Sequence, residues 1–575
     1  MILNKYHFTR KLSSRNTDIL IYHKWPLIIL TIVVIVGFST SIYLYMLDKY
    51  SLLYYGDAVS HLVRAREFVD SARPGFLEQI GTGWLPLPHL LVLPTALVDP
   101  LFKSGFAGTA VSLPCFAITS VLIYRIMKAQ ININYIAVTG TLLYALNWNM
   151  VYLGIIPMTE APFMLFFVAS AYYLQKWYLN SYNHYYLGPI KYNLQRTSIR
   201  SLYLPIRLID LLKCSFFVSL ATLCRYEAWI IPIFLVLFVL VSIIRRNGIT
   251  DYGIKFKALA ILVSVLSFSG IVLWISYNAY YYGDPLRFSN AVYWSAAYQA
   301  IVGTNRIHLY LQPLNVAAIY TITAVAIYGP VLLIAGIIGY VLQRRYDSKE
   351  TKRNKNIFLY IFFSLPPTVT VLSMVLGVAE MNQRWFNSRF LILLSPLIVL
   401  SVSILIARLP KGIKKSHFYL LSTIGVLFVY QFVTPAFGFV VTFLEARHFI
   451  SSGSRPFSIK ASEALISKYN GGRVLIITGS AQQNNIIQQS GIPLRNFDTI
   501  LEGNTWNPSF KKPWLYNKYI IISKEADPSA ANVSRYWLHR QQQLNKYFDI
   551  VYENKYYRIM THKQNPTPIG CMLYR

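Results

Sequence analysis

The chain has 575 residues, of which 55% are hydrophobic and only 13% charged, and its formal net charge is +31. A soluble domain carries about 25% charged residues, so the deficit excludes an ordinary water-soluble fold and fits a chain solvated by lipid. The basic residues recur between apolar runs rather than in one patch, which excludes a nucleic-acid face and fits topology determinants, with attraction to anionic membrane lipids as a secondary effect.

In chain order, apolar runs predict spans near 27–47, 105–127, 133–153, 159–179, 212–224, 229–245, 258–282, 313–342, 357–378, 389–408 and 417–443, about eleven by the length a bilayer requires. The first run lacks a small-residue cleavage site and reads as an uncleaved span after a cytoplasmic tail, 1–26. With the N-terminus inside, the inner segments are basic (Lys5 to Lys24, Arg125/Lys128, Lys176 to Lys213, Arg245 to Lys257, Arg344 to Lys355, Arg408 to Lys415). The outer ones are balanced or acidic. The expectation is therefore a polytopic α-helical membrane protein, N-terminus cytoplasmic, seated in the plasma membrane, with a membrane domain over 27–444.

The first outer loop, 48–104, holds YYGDAVSHLVRAREFVD (Tyr54 to Asp70) and WLPLPHLLVLP (Trp84 to Pro94), joined by a turn around Gly81 and Gly83. On a helix Asp57, His61 and Arg64 share one face, while Val59, Leu62 and Val69 mark another. Both segments fit helices lying in the membrane interface. From about Glu445 the chain turns strand-like at Arg473–Gly479, Lys518–Ser523 and Asp549–Glu553, with a helical stretch at Ser458–Tyr469. Residues 445–575 thus predict a small extracytoplasmic α/β domain. Asn532-Val533-Ser534 is a glycosylation sequon, and Cys115, Cys214, Cys224 and Cys571 show neither metal nor disulfide spacing.

Ionisable groups gather at one membrane edge: Asp57, Glu160 in PMTEAP, Arg225 and Glu227 in CRYEAW, Asp284 and Arg287 in GDPLRF, and Arg384 and Arg389 in NQRWFNSRF. Charges at this depth face each other or a water-filled cavity. A carboxylate takes a proton from a hydroxyl nucleophile, and arginines hold a phosphate and the charge that develops on it. That combination suits displacement of phosphate from a lipid-linked donor. Single residues keep blander readings. Asp57 stands where an N-cap would; His61 tunes Asp57, binds phosphate or packs; His89, among prolines and leucines, reads as packing; Glu160 pairs with Arg225 or shares a divalent ion (Mg or Mn) with Asp57. No dense acidic motif calls for a metal, and no cofactor is specified.

In order, GDAVSHLVRAREF, GTGWLPLPHLLVLP, MTEAP, RYEAW, YYGDPLRFSNAVYW and NSRFLILLSPL resemble the GT-C membrane glycosyltransferases, close to the family 39 group of protein O-mannosyltransferases and aminoarabinose transferases, over residues 25–445. The resemblance implies a sugar donor on polyprenyl or dolichyl phosphate and inverting transfer on the outer face to a protein, lipid or glycan. It places the catalytic base at or beside Asp57 and the second acidic position at Glu160. Donor phosphate would meet Arg225 and Arg389, with Arg64 and Arg384 behind them and His61, Glu227 and His89 in support. The first loop reads Gly-Asp-Ala rather than the Asp-Glu pair of the O-mannosyltransferases, and no WWDYG-type motif is present. The competing readings are a transporter, against which the charges lie at one edge rather than at mid-membrane, and a non-catalytic cell-envelope assembly protein, which leaves the edge charges without a purpose.

Overall fold

The computed structural model describes residues 3–72, 75–81, 83–186, 198–247, 253–289, 313–349, 357–375, 388–408, 425, 440–451, 455–477, 480–499, 506–524 and 536–564. Most of these residues are helical. Among the described residues four helical stretches are long and apolar enough to cross a membrane: Lys24–Leu47, Phe106–Ile131, Ala258–Tyr282 and Arg389–Arg408. Side chains such as Ile35, Phe38, Val265 and Leu273 stand exposed on two of them, as large apolar faces do where lipid is the solvent. Further helices, Glu160–Tyr186, Ser198–Thr222, Ile230–Asn247 and Ile357–Val375, pack with them around one large apolar core.

Two expected spans are broken. The run 313–342 is two helices, Pro313–Tyr328 and Pro330–Lys349, bent by 106° in the apolar part. Gly329 takes φ +79° there and Pro330 opens the second helix, a pairing that ends one helix and restarts another. The run 133–153 divides into Asn134–Ala145 and Trp148–Leu153, because Asn147 caps the second by accepting from the Asn149 N–H at 3.0 Å. Hydropathy sees neither break, since both lie inside apolar sequence. Helix Leu3–Leu47 runs on through Pro26 without a break at the start of the first apolar run. The run 417–443, apart from residues 425 and 440–443, and the sequon lie outside the described residues.

The C-terminal unit is an α/β layer structure. Its strands β1 (Val474–Ile477), β2 (Phe497–Asp498), β3 (Tyr519–Ser523), β4 (Phe548–Glu553) and β5 (Tyr557–His562) lie in the order β2-β1-β3-β5-β4. β1 is parallel to β2 and β3, and β5 is antiparallel to β3 and β4. β1 and β3 are buried throughout, which is why they read as uninterrupted apolar runs. Alternate residues serve opposite faces: Val474, Ile476, Tyr519 and Ile521 on one, Leu475, Ile477, Ile520 and Ile522 on the other.

The first face sets the position of the site. Over it lie helices Arg455–Lys468 and Ser480–Ser490, and their core continues into Val59, Leu62, Val63 and Ala65 of helix Gly56–Glu67 and Val92 and Ala96 of helix Leu87–Ala96. The two first-loop segments expected to lie on lipid are therefore helices, but the apolar side of Gly56–Glu67 is covered by the C-terminal unit, and Leu87–Ala96 packs against Gly56–Glu67 and helix Phe106–Ile131. Polar contacts fix the seam: Asn484 donates to Ser60 Oγ at 2.9 Å, Gln488 to the Phe102 carbonyl at 2.6 Å, and the Leu494 N–H to Asp70 at 3.0 Å. An amphipathic pattern specifies that a face must be covered and does not say by what.

Candidate functional site

Four separate stretches of chain converge at the start of the Gly56–Glu67 helix. Asp57 lies in its first turn. Glu160 is the first residue of helix Glu160–Tyr186, where the helix dipole favours a negative charge. Arg225 is the extended residue between helix Ser198–Thr222 and the turn Tyr226–Trp229. Arg389 sits in the 3-10 turn Ser388–Leu394 that begins the span to Arg408.

The loop before Glu160 is held against helix Phe106–Ile131. Thr109 and Ser112 donate to the carbonyls of Ile155 and Ile156 at 2.6 and 2.7 Å, and Gly108 admits Pro157 so closely that a Cβ there would fall 2.2 Å from the proline ring. The RYEAW turn is fixed by Tyr226, whose hydroxyl donates to the Gly83 carbonyl of the first loop at 2.9 Å.

The charges form one network. Arg389 Nη2 reaches Asp57 Oδ2 at 2.5 Å, and its Nε lies 3.7 Å from Glu160 Oε1. The same Glu160 oxygen accepts from Arg225 Nη1 at 3.0 Å, while Arg225 Nη2 pairs with Glu227 at 2.6 Å and Nη1 also donates to Thr159 Oγ1 at 3.1 Å. Phe390 lies between the guanidiniums, 4.9 Å from that of Arg225 and 5.2 Å from that of Arg389, and the Tyr55 ring backs Arg389 at 5.1 Å. Side-chain exposure is graded: Glu160 1%, Arg225 9%, Arg389 12% and Asp57 42%. Asp57 is the member of this network most open to solvent. Burial against the chain pushes the Asp57 carboxyl up, but Arg389, His61 and Arg455 around it outweigh this and hold it below the usual carboxylate range.

The capping reading of Asp57 is corrected here. Tyr55 stands at the N-cap and its side chain makes no capping hydrogen bond to the helix, while the Asp57 carboxylate turns to Arg389. His61 and His89 come together, Nδ1 to Nε2 at 2.9 Å, with His89 Nδ1 3.1 Å from the Leu85 carbonyl and the Trp84 ring tilted against His61, centroids 4.3 Å apart. Since a carbonyl only accepts, His89 Nδ1 carries the proton, His89 Nε2 accepts from His61 Nδ1–H, and His61 Nε2 is left as an acceptor. Burial pushes His61 down to about 4 and His89 well below its ordinary value, so both are neutral at pH 7. Arg64 is two turns along the helix from Asp57 and pairs with Glu67 at 2.8 Å. Arg384 lies outside the described residues.

Asp57 and Glu160 do share a cation, the Arg389 guanidinium. Among the described residues no three His, Cys, Asp or Glu side chains gather as metal ligands would, and Arg389 bridges the two carboxylates expected to share an ion. Tyr55, Thr159 and Phe390 escaped the sequence reading because their types are ordinary at a membrane edge. Arg455 and Glu445, which reach this region from the C-terminal part of the chain, carried no sequence signal at all.

No protein-family model matches the chain, and no curated protein does. Solved structures do. ArnT from Cupriavidus metallidurans bound to undecaprenyl phosphate is 9% identical, with a TM-score of 0.51 over 93% of this chain and 98% of that one. ArnT in the apo state is 10% identical, with a TM-score of 0.49 over 88% of this chain and 92% of that one. The oligosaccharyltransferase of Archaeoglobus fulgidus in the apo form is 11% identical, with a TM-score of 0.48 over 95% and 75%. At this identity the first likeness speaks to fold. The chain shares that fold, here an integral membrane helical domain followed by a C-terminal α/β unit.

Proposed function

We propose that the chain is a membrane glycosyltransferase that moves a sugar from a polyprenyl- or dolichyl-phosphate donor to a hydroxyl-bearing acceptor on the extracytoplasmic face. The observation that carries the reading is the convergence of Asp57 with two guanidiniums, Arg225 and Arg389, around the buried Glu160, within a GT-C fold. The distribution of basic segments along the sequence supports an N-terminus inside and this cluster, with the C-terminal unit, outside.

Each residue has a part that its surroundings support. Asp57, ionised and exposed, accepts the proton of the acceptor hydroxyl. The acceptor oxygen bonds to the anomeric carbon from the side opposite the phosphate. The carbon–oxygen bond to phosphate breaks, and its electron pair remains on the phosphate oxygen, so the anomeric centre inverts. The leaving phosphate gains one negative charge, which Arg225 and Arg389 stabilise. Glu160, Glu227 and the Phe390 and Tyr55 rings hold those guanidiniums in place before the donor arrives. Phosphate needs no protonation to leave, so no general acid is required. The neutral His61–His89 pair supports the helix beneath Asp57.

The test is sugar release from radiolabelled polyprenyl-phosphate sugars by the full chain in proteoliposomes, with a crude membrane extract as acceptor source. Release above protein-free vesicles with at least one donor is expected. No release across a panel of hexosyl and pentosyl donors refutes the proposal and favours the transporter or assembly reading.

A further inference from the structure

Arg455 is the first residue of helix Arg455–Lys468 in the C-terminal unit, and it is buried. Its Nη1 donates to the Tyr54 carbonyl, and its Nη2 donates to the carbonyls of Leu53 and Tyr55, the last at 3.4 Å. These are the three peptides that lead directly into the helix bearing Asp57. A guanidinium fork is the one side chain able to gather several carbonyls in a fixed plane. A second tie acts two residues before Asp57. The Tyr55 hydroxyl donates to Glu445 at 2.8 Å, beside the Thr442 carbonyl at 2.9 Å, while the Tyr55 ring backs Arg389. The first tie comes from the first helix of the C-terminal unit, the second from helix Val441–Ser451 just before it.

We propose that Arg455 is a positioning residue for the transferase reaction: by clamping the carbonyls of residues 53–55 it sets where Asp57 stands against the acceptor hydroxyl, and so makes the C-terminal unit part of the catalytic apparatus rather than an appended module. This rests on the glycosyltransferase reading. The physical reason is that a base must lie within hydrogen-bond reach of the proton it takes, and a displacement of about 1 Å at a reacting group costs on the order of a hundredfold in rate. Asp57 lies in the first turn of a helix whose N-cap side chain makes no capping bond to the helix itself, so its entry angle depends on what holds the preceding peptides. Arg455 also adds a positive charge near Asp57. The other groups that act on the Asp57 carboxylate are Arg389 from the membrane helix and His61 from its own helix, with Glu160 behind Arg389.

The experiment compares wild type, Arg455→Lys and Arg455→Met, each as the full chain in proteoliposomes. Arg455→Met is expected to lower kcat at least about tenfold with donor KM within about twofold, and to move the acid limb of the pH–rate profile to higher pH, because a positive charge that favours ionised Asp57 is gone. Arg455→Lys, which keeps charge but not the fork, is expected to lose kcat with the acid limb in place. Hydrogen exchange is read in parallel and needs no turnover. In both variants residues 53–67 exchange faster while β3 and β5 stay protected. Unchanged exchange at 53–67 overturns the clamp whether or not the donor reading holds. Faster exchange there with kcat unchanged overturns the positioning role. Loss of protection in β3 and β5 marks Arg455 as a folding residue and also overturns it. Absence of wild-type turnover with the exchange result as expected refutes the transferase reading alone.

Discussion

Asp57→Asn separates chemistry from folding. The replacement keeps the shape of the side chain and removes both its charge and its capacity to take a proton. A positioned general base contributes about 10²- to 10⁴-fold in rate, so transfer should fall by at least about a hundredfold. The stability cost should be small. Asp57 is 42% exposed, and its 2.5 Å contact to Arg389 is partly screened by solvent, so the pair contributes about 1 kcal/mol or less. Arg389 keeps Glu160 at 3.7 Å and the rings of Tyr55 and Phe390, and no buried charge is stranded. Released from Asp57, that guanidinium is also more available to phosphate, so donor KM should not rise. The assay is initial-rate sugar release in proteoliposomes beside a thermal melt of the same preparation. Turnover within tenfold of wild type would remove Asp57 as base, and a rate loss matched by collapse of the melting transition would make it a structural residue.

Glu160→Gln should behave in the opposite way. Glu160 is 1% exposed and stands between two arginines, and removing one partner of a buried ion pair costs about 3–5 kcal/mol; a melting temperature within a degree or two of wild type would contradict this. The His61–His89 pair predicts an acid-sensitive fold. Unfolded histidine binds its proton near about pH 6.5, whereas folded His61 stays neutral to about 4. Its contribution is therefore full above about pH 6.5 and is lost as pH falls towards 4. Melting temperature should drop less between pH 7 and pH 5 in His61→Asn than in wild type, and equal drops would refute the assignment. Since Arg389 already bridges Asp57 and Glu160, turnover should survive chelator. Loss of activity with EDTA, restored by Mg or Mn, would overturn that expectation.

Much of the helical architecture is legible as apolar length. Arg389–Arg408 and Phe106–Ile131 fall within a few residues of their expected bounds, because a bilayer imposes a length on sequence. Where the expectation fails, at Gly329 and Asn147, single residues redirect a chain that stays apolar on both sides. The charged edge was legible for a related reason: ionisable groups are costly there, so Asp57, Glu160, Arg225 and Arg389 stand out residue by residue. Their pairing was not, since Arg389 and Asp57 are 332 positions apart.

The sequence by itself determined that the chain lives in lipid, that its acidic and basic edge residues share a side, and that an α/β unit follows. Only the tertiary structure decided that this unit covers the helix bearing Asp57 and that Arg455 and Glu445 hold the turn before Asp57. The physical reason is one of range. Period and composition record what each side chain needs around it, solvent, lipid or a partner, whereas which distant segment meets that need is settled only when the faces pack.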